Sequence, residues 1–149
     1  MLWMLPRIPA DPTTVESVTL MARICCLAAI DPDHVPVLSA ALKNAGESAL
    51  TILARLDVAD LSKRAPAMLV ADVDYLLVDP LEMVRQLRFV LPECTLVIYT
   101  SSTEQAWARE CHLAGATCVL SKESNERQLT NGLWSAIQTG CWTDPRFAA

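Results

Sequence analysis

Five short apolar runs alternate along the chain with segments whose apolar residues recur at helical spacing. The runs are residues 22–30, 49–53, 67–73, 95–100 and 117–121. Each run is almost continuously apolar, whereas a strand with one face in water would alternate apolar and polar residues. Strands of this kind belong to a parallel sheet that is covered by helices on both faces. Five strand–helix units predict an open, doubly wound α/β sheet, because an eight-stranded barrel needs about 250 residues.

The segments between these runs carry signals for helix starts and helix ends. Residues 33–45 place their apolar side chains on one helical face, and Gly46 follows as a stop signal. Each later segment has a residue whose side chain can cap a helix N-terminus. These residues are Asp57, Asp79, Ser102 and Ser124. The last helix is predicted to end near Gly140, so the strand–helix pattern continues to that residue.

The length of 149 residues predicts one domain, because domains typically contain about 100–200 residues. Residues 1–17 include three prolines that interrupt any helix, and we interpret them as an N-terminal arm of uncertain order. Residues 18–140 form the predicted domain, and residues 141–149 form a C-terminal tail. The candidate chemistry is therefore expected within residues 18–140.

Composition and charge exclude several classes of protein. A hydrophobic content of 52% excludes a disordered chain, and the formal net charge of −5 argues against direct binding to nucleic acid or to anionic membranes. No apolar stretch approaches the roughly 20 residues that a membrane-spanning helix needs. The six cysteines contain no CxxC pair, so a zinc site is not predicted. We therefore expect a cytoplasmic protein whose thiols remain reduced.

Polar residues stand at the ends of four of the five predicted strands, where ligands bind in open α/β sheets. These residues are Asp31, Asp33, Asp72, Asp74, Thr100 and Lys122. Carboxylates are ligands that Mg²⁺ prefers, and a lysine ammonium and a hydroxyl can bind the oxygens of a phosphoryl group. An aspartate carboxylate can also act as a nucleophile and form an acyl phosphate. Asp72, at the end of the central strand, is the best candidate for such an acceptor.

Three stretches of the sequence resemble the receiver domains of response regulators in two-component signalling. MLVADVDYL (68–76), LVIYTSS (96–102) and AGATCVLSKES (114–124) are similar to the third, fourth and fifth strands of those domains. The resemblance extends over residues 22–140, which is most of the chain. It implies a flavodoxin-like fold with five parallel strands in the order 2-1-3-4-5.

The resemblance also implies a role for each site residue. Asp72 would be the phosphoacceptor, Thr100 the switch hydroxyl and Lys122 the phosphate-binding lysine. The implied cofactor is Mg²⁺, with ligands from Asp31, Asp33, Asp72 and the backbone carbonyl of Asp74. The implied partners are a histidine kinase or phosphotransfer protein and a downstream protein. A homodimer could form through the face made by the fourth helix, the fifth strand and the fifth helix.

The sequence departs from the receiver pattern at three positions. Receiver domains carry two adjacent acids after the first strand, whereas Pro32 follows Asp31 here. Val119 stands where an aromatic switch residue is usual, and Leu76 stands where a proline is usual. The tail, residues 141–149, resembles the linker that leads to a C-terminal helix-turn-helix output domain. We expect either that the output domain has been lost or that the chain is one piece of a longer regulator. We therefore interpret the protein as an atypical receiver and expect no direct contact with DNA.

Two functions are compatible with this pattern. The first is a single-domain response regulator, not an enzyme, which receives a phosphoryl group on Asp72 and signals through a protein partner. The second is a pseudo-receiver, which acts as a constitutive protein-interaction module without phosphorylation, and Pro32 and Val119 favour it. A flavin carrier of the same fold is disfavoured, because IDPDHVP (30–36) is acidic where a phosphate-binding loop would be needed.

Simpler roles for the same residues also remain open. Asp31 and Asp33 can serve as the N-cap and first-turn acid of a helix, and Lys122 can be a solvated charge. Thr100 can be a hydroxyl at a turn or at a helix start. A metal-dependent phosphatase would have only Asp74 as a candidate general acid. The burial and hydrogen bonds of these side chains in the folded protein distinguish some of these roles from the site roles given above.

Overall fold

The computed structural model describes residues 24–47, 49–74, 78–102 and 104–147. Within them, the strands are β1 (Cys25–Ala28), β2 (Leu50–Leu53), β3 (Met68–Asp72), β4 (Thr95–Thr100), β5 (Cys118–Ser121) and β6 (Trp142–Thr143). The helices are α1 (Val35–Asn44), α2 (Val58–Arg64), α3 (Pro80–Val90), α4 (Gln105–Ala114) and α5 (Glu126–Thr139), followed by a 3₁₀ turn (Pro145–Phe147). The predicted arm, residues 1–17, and Leu76 lie outside the described residues. None of the helices in the described ranges has the length and hydropathy of a membrane-spanning segment.

The six strands form one sheet in the order β2-β1-β3-β4-β5-β6, and all neighbouring strands are parallel. The predicted flavodoxin-like order of the first five strands is confirmed. Every residue of β1, β3 and β5 is buried, and side chains on a strand point alternately to the two faces. Each strand therefore supplies two cores: α2, α3 and α4 cover one, and α1 and α5 cover the other.

Two helices begin at the residues that the sequence predicts. The side chain of Asp57 accepts hydrogen bonds from the backbone N–H groups of Ala59 and Asp60 at the start of α2. Asp79 accepts a hydrogen bond from the N–H of Leu81 at the start of α3. These bonds satisfy N–H groups that have no partner within the helix.

The other two predicted caps are wrong by one or two residues. α5 is capped by Asn125 and not by Ser124: the Asn125 side chain accepts from the N–H of Gln128, whose side chain accepts from the N–H of Asn125. This reciprocal pair satisfies two free N–H groups, whereas a serine at position 124 could satisfy one. At α4 the N-cap residue is Glu104. The hydroxyl of Ser102, two residues before it, accepts a hydrogen bond from the Glu104 N–H and so lies just outside the helix.

The sixth strand was not predicted from the sequence. Trp142 and Thr143 pair with Cys118 and Val119 of β5, so these two residues of the C-terminal tail extend the sheet. The 3₁₀ turn after β6 buries the Phe147 side chain, which is 1% exposed and belongs to the core beneath α3 and α4. A strand of two residues is too short to show a periodic pattern, which explains why the sequence did not reveal it.

Candidate functional site

Three predicted site residues, Asp72, Thr100 and Lys122, meet at the carboxyl edge of the sheet. Asp72 is the last residue of β3, and it is paired in register with Tyr99 of β4. Thr100 ends β4, and Lys122 follows directly after β5. Because β3, β4 and β5 are neighbours in the sheet, their ends lie side by side. The fold therefore brings a carboxylate, a hydroxyl and an ammonium to one point.

Lys122 is held between two carboxylates. Its Nζ atom lies 2.7 Å from Oδ2 of Asp72 and 2.8 Å from Oδ2 of Asp74. Burial alone lowers the pKa of the Lys122 ammonium, but hydrogen bonds and charge attraction from the two aspartates outweigh burial and raise it. The backbone N–H of Lys122 also donates to the carbonyl oxygen of Thr100 at 2.9 Å. The simpler role as a solvated charge is therefore wrong, since the lysine side chain is 9% exposed.

Asp72 is almost completely buried, with 3% of its surface exposed. Its Oδ1 atom accepts a hydrogen bond of 3.0 Å from the backbone N–H of Asp74, and its Oδ2 atom faces Lys122. A buried carboxylate is costly unless it is paired, and Lys122 supplies the compensating charge. The arrangement places a buried carboxylate beside an ammonium at the end of the central strand.

The side chain of Asp74 makes contacts within the site that the sequence did not predict. The Thr100 hydroxyl donates to its Oδ1 atom at 2.6 Å, and the backbone N–H of Ser101 donates to its Oδ2 atom at 2.8 Å. Burial raises the pKa of the Asp74 carboxyl, but the hydrogen bonds from Lys122, Thr100 and Ser101 lower it by more. The receiver resemblance implies only a backbone role for Asp74, whereas its side chain contacts Lys122, Thr100 and Ser101.

Tyr99 and His34 form a pair that the sequence analysis missed. The Nδ1 atom of His34, at the N-cap of α1, is 2.8 Å from the Tyr99 hydroxyl oxygen, and the two rings pack edge to face with centroids 5.4 Å apart. Nζ of Lys122 lies 5.8 Å from the centroid of the Tyr99 ring. Burial raises the pKa of Tyr99 to about 12, so its hydroxyl stays protonated. The available signal was a tyrosine in a buried strand, whose hydroxyl needs a partner.

Asp31 and Asp33 form a local turn before α1. Oδ1 of Asp31 accepts a hydrogen bond of 2.9 Å from the Asp33 N–H, and Asp33 is exposed. Asp31 does not cap α1, because the N-cap residue is His34. In the described part of the chain, no group of three or more His, Cys, Asp or Glu side chains is placed to hold a metal ion. The side chain of Asp74 is engaged by Lys122 and Thr100 instead.

The fold is similar to those of known proteins. No family model matches the sequence, and no curated protein matches it. Among solved structures, a LuxR-family response regulator from Aurantimonas sp. SI85-9A1 is 20% identical, with a TM-score of 0.67 over 85% of this chain and 92% of that chain. A response regulator from Thermotoga maritima is 13% identical, with a TM-score of 0.67 over 79% and 99% of the two chains.

A third similar structure is the isolated receiver domain of RcsB from Salmonella enterica serovar Typhimurium, solved in the presence of the phosphomimetic BeF₃⁻. It is 13% identical, with a TM-score of 0.65 over 85% of this chain and 96% of that chain. Receiver domains thus match most of the chain, although sequence identity is low. The chain has the fold of a response-regulator receiver domain, and the resemblance inferred from its sequence is confirmed at the level of the fold.

Proposed function

We propose that this protein is an atypical response-regulator receiver that accepts a phosphoryl group on Asp72. The observation that carries the proposal is the buried Asp72 carboxylate at the end of the central strand, with the Lys122 ammonium 2.7 Å away. A carboxylate in this position can act as a nucleophile, and the ammonium can neutralise the oxygens of an incoming phosphoryl group. The receiver fold supports the same function.

The donor in this proposal is a phosphohistidine on a histidine kinase or phosphotransfer protein. An oxygen of Asp72 attacks phosphorus, and the P–O bond forms as the P–N bond breaks. The electron pair of the P–N bond stays on the imidazole nitrogen, which takes up a proton. Lys122 and the Thr100 hydroxyl then hold the phosphoryl oxygens. The protein is an acceptor in this scheme, and it does not turn over a substrate as an enzyme does.

Mg²⁺ is part of the proposal, because the donor set has the chemistry that this ion requires. Mg²⁺ takes only one or two protein carboxylates and fills its other positions with water and phosphate oxygens. Asp31 and Asp72 would supply the carboxylates and Asp74 a backbone carbonyl, whereas the exposed Asp33 is the weakest of the four predicted ligands. When bound, the ion neutralises charge on the phosphoryl group and on Asp72.

The proposed output is a contact with a downstream protein through the face of α4, β5 and α5. Two of the helices that frame this face carry exposed apolar side chains, Leu113 of α4 at 82% and Trp134 of α5 at 53%. β6 lies along the edge of β5, so a partner or a second copy of the chain would meet β6 there as well. Homodimerisation through this face stays a prediction. The buried thiols support the proposal that the protein works in the cytoplasm, where thiols stay reduced.

The pseudo-receiver is the second candidate, and one observation favours it. The hydroxyl and ammonium that would bind a phosphoryl group are already bonded to the Asp74 carboxylate. Pro32 and Val119 also replace residues that receivers use for metal binding and for signalling. In this alternative the domain would bind its partner constitutively, without phosphorylation.

The two candidates are separated by phosphorylation with a small-molecule donor. The purified protein is incubated with Mg²⁺ and acetyl phosphate, and the intact mass and the modified residue are determined by mass spectrometry. The response regulator predicts one phosphoryl group on Asp72, which is lost in Asp72→Asn and retained in Asp60→Asn, a matched change at an exposed carboxylate. A folded protein that gains no phosphoryl group would contradict the proposal and favour the pseudo-receiver.

A further inference from the structure

Three different hydrogen-bond donors converge on the side chain of Asp74. They are the Lys122 ammonium at 2.8 Å, the Thr100 hydroxyl at 2.6 Å and the Ser101 backbone N–H at 2.8 Å. The same ammonium lies 2.7 Å from Oδ2 of Asp72, so these donors meet next to the Asp72–Lys122 pair. An ammonium, a hydroxyl and a backbone N–H are also the donors that bind phosphoryl oxygens in proteins. The Asp74 carboxylate therefore uses the donors that a phosphoryl group on Asp72 would need.

The turn between the two aspartates fixes this arrangement. The N–H of Asp74 donates to Oδ1 of Asp72 at 3.0 Å, and the turn brings the two carboxylates to the same ammonium. The Asp74 side chain is 12% exposed, so water does not readily replace its partners. Hydrogen bonds to a charged group are stronger than neutral ones, and three of them hold Asp74 in place.

An incoming phosphoryl group would meet two obstacles at this site. Its oxygens would compete with the Asp74 carboxylate for Lys122, Thr100 and Ser101. Its negative charge would also be repelled by a second carboxylate that shares one ammonium with Asp72. Both obstacles disappear if the Asp74 side chain is removed, because the three donors then face the open site.

We propose that the Asp74 carboxylate is a built-in occupant of the phosphoryl position, and that it must leave before Asp72 can hold a phosphoryl group. This inference rests on the proposed phosphorylation of Asp72 and deepens it. Asp74 determines how readily a phosphoryl group binds at the site. While its carboxylate is in place, Lys122, Thr100 and the Ser101 N–H are bonded to it as they would be to phosphoryl oxygens. Thr100 and Lys122 consequently adopt positions of an occupied site in the unmodified protein.

The test is a titration with beryllofluoride, a mimic of the phosphoryl group, in the presence of Mg²⁺. Intrinsic tryptophan fluorescence reports binding, because Trp107 lies in α4, whose N-terminus follows the Thr100–Ser102 loop. Binding to Asp74→Ala is expected to be about tenfold tighter or more than binding to the unmodified protein, since the competing hydrogen bonds are gone. The double variant with Asp72→Asn should not bind.

Two further variants make the result unambiguous. Asp74→Asn keeps the size of the side chain but removes its charge, so its affinity should lie between those of the unmodified protein and Asp74→Ala. This variant also provides the comparison if Asp74→Ala does not fold. Asp60→Ala removes one negative charge at a carboxylate that pairs with Arg64 of its own helix, and it should leave the affinity unchanged. Equal affinities for the unmodified protein, Asp74→Ala and Asp74→Asn would overturn the role of Asp74 while leaving Asp72 as an acceptor. Binding by none of the folded proteins would instead overturn the proposed function itself.

Discussion

Trp142 packs directly against the backbone of Gly132. A β-carbon at position 132 would lie 2.6 Å from Cζ3 and 2.8 Å from Cη2 of the Trp142 ring, which is closer than carbon atoms can approach. Gly132 lies within α5, where glycine costs about 1 kcal/mol relative to alanine. The helix accepts this cost, and the indole then covers the space that a side chain would fill. This contact positions β6 beside β5.

The substitution Gly132→Ala is expected to destabilise the protein in spite of the better helix propensity of alanine. The new methyl group must displace the Trp142 ring, and overpacking of this kind costs about 1–3 kcal/mol. Urea unfolding measures the loss, and the emission of Trp142 should move toward that of a solvated indole. Asn131→Ala, at an exposed position of the same helix, is the control and should be neutral or slightly stabilising. A Gly132→Ala protein more stable than the parent would refute the packing argument.

Removal of the Lys122 ammonium should destabilise the fold through the carboxylates that it leaves behind. In Lys122→Met the buried Asp72 loses its ion pair, and a broken buried pair costs about 3–5 kcal/mol. Because Asp74 shares the same lysine, two like charges would then face each other. We expect a loss of about 3 kcal/mol in the free energy of unfolding, the low end of that range, since solvent can enter at this edge.

A double-mutant cycle isolates the interaction between these two residues. Adding Asp72→Asn to Lys122→Met removes the unpaired charge, so the double variant should regain part of the lost stability. Unfolding in urea, measured for the parent, both single variants and the double variant, gives the coupling energy. Additive losses, with no recovery in the double variant, would mean that the pair contributes nothing to the fold.

Much of this site could be predicted from the sequence, because strand ends are readable from apolar runs. The ends of the runs placed Asp72, Thr100 and Lys122 at one edge, and the structure brings them together. What the sequence could not give is the direction of side chains in loops: Asp74 turns toward Lys122 because of tertiary contacts. The pairing of His34 with Tyr99 joins residues 65 positions apart, which no local pattern reveals.

Stability should fall steeply at alkaline pH, because the core contains groups whose pKa values are raised by burial. Burial raises the pKa of the Cys94 thiol from 9.0, that of the Cys111 thiol from 9.0 and that of Tyr99 from 10.0, each to about 12. The unfolded chain releases these protons near pH 9 to 10, while the folded chain keeps them. Each group therefore contributes stability that is fully present below its unfolded pKa and is lost as pH rises toward 12, by about 1.4 kcal/mol per pH unit.

Urea unfolding at a series of pH values between 8 and 11 checks this dependence. Tyr99→Phe removes one of the three groups, so its stability should fall less steeply above pH 10, where the unfolded tyrosine would ionise. The phenolate absorbance that the parent protein shows and Tyr99→Phe lacks belongs to Tyr99. It should appear as the parent is titrated toward pH 12. A parent protein with constant stability up to pH 11 would show that these groups are not shielded from water.

Binding of Mg²⁺ should distinguish the two aspartates before α1. Asp31 is half-buried and accepts the N–H of Asp33, whereas the Asp33 carboxylate is exposed. If Asp31 and Asp72 are the carboxylates that hold Mg²⁺, Asp31→Asn should weaken Mg²⁺ affinity by about tenfold or more, because the ion has few protein ligands to lose. Asp33→Asn should change the affinity by less than about twofold, since the ligands of Mg²⁺ would be untouched.

Titration of each variant with Mg²⁺, followed by tryptophan fluorescence and by isothermal calorimetry, gives the affinities. The two variants carry the same carboxylate-to-amide change at the residues on either side of Pro32, so the comparison is closely matched. Equal weakening by both substitutions would indicate that Asp33 supplies the acid that Pro32 displaced. If the folded parent does not bind Mg²⁺, a phosphoryl group on Asp72 would have Lys122 as its principal counter-charge, and Lys122 is shared with Asp74. The Asp72–Lys122 pair would then be interpreted as a structural ion pair.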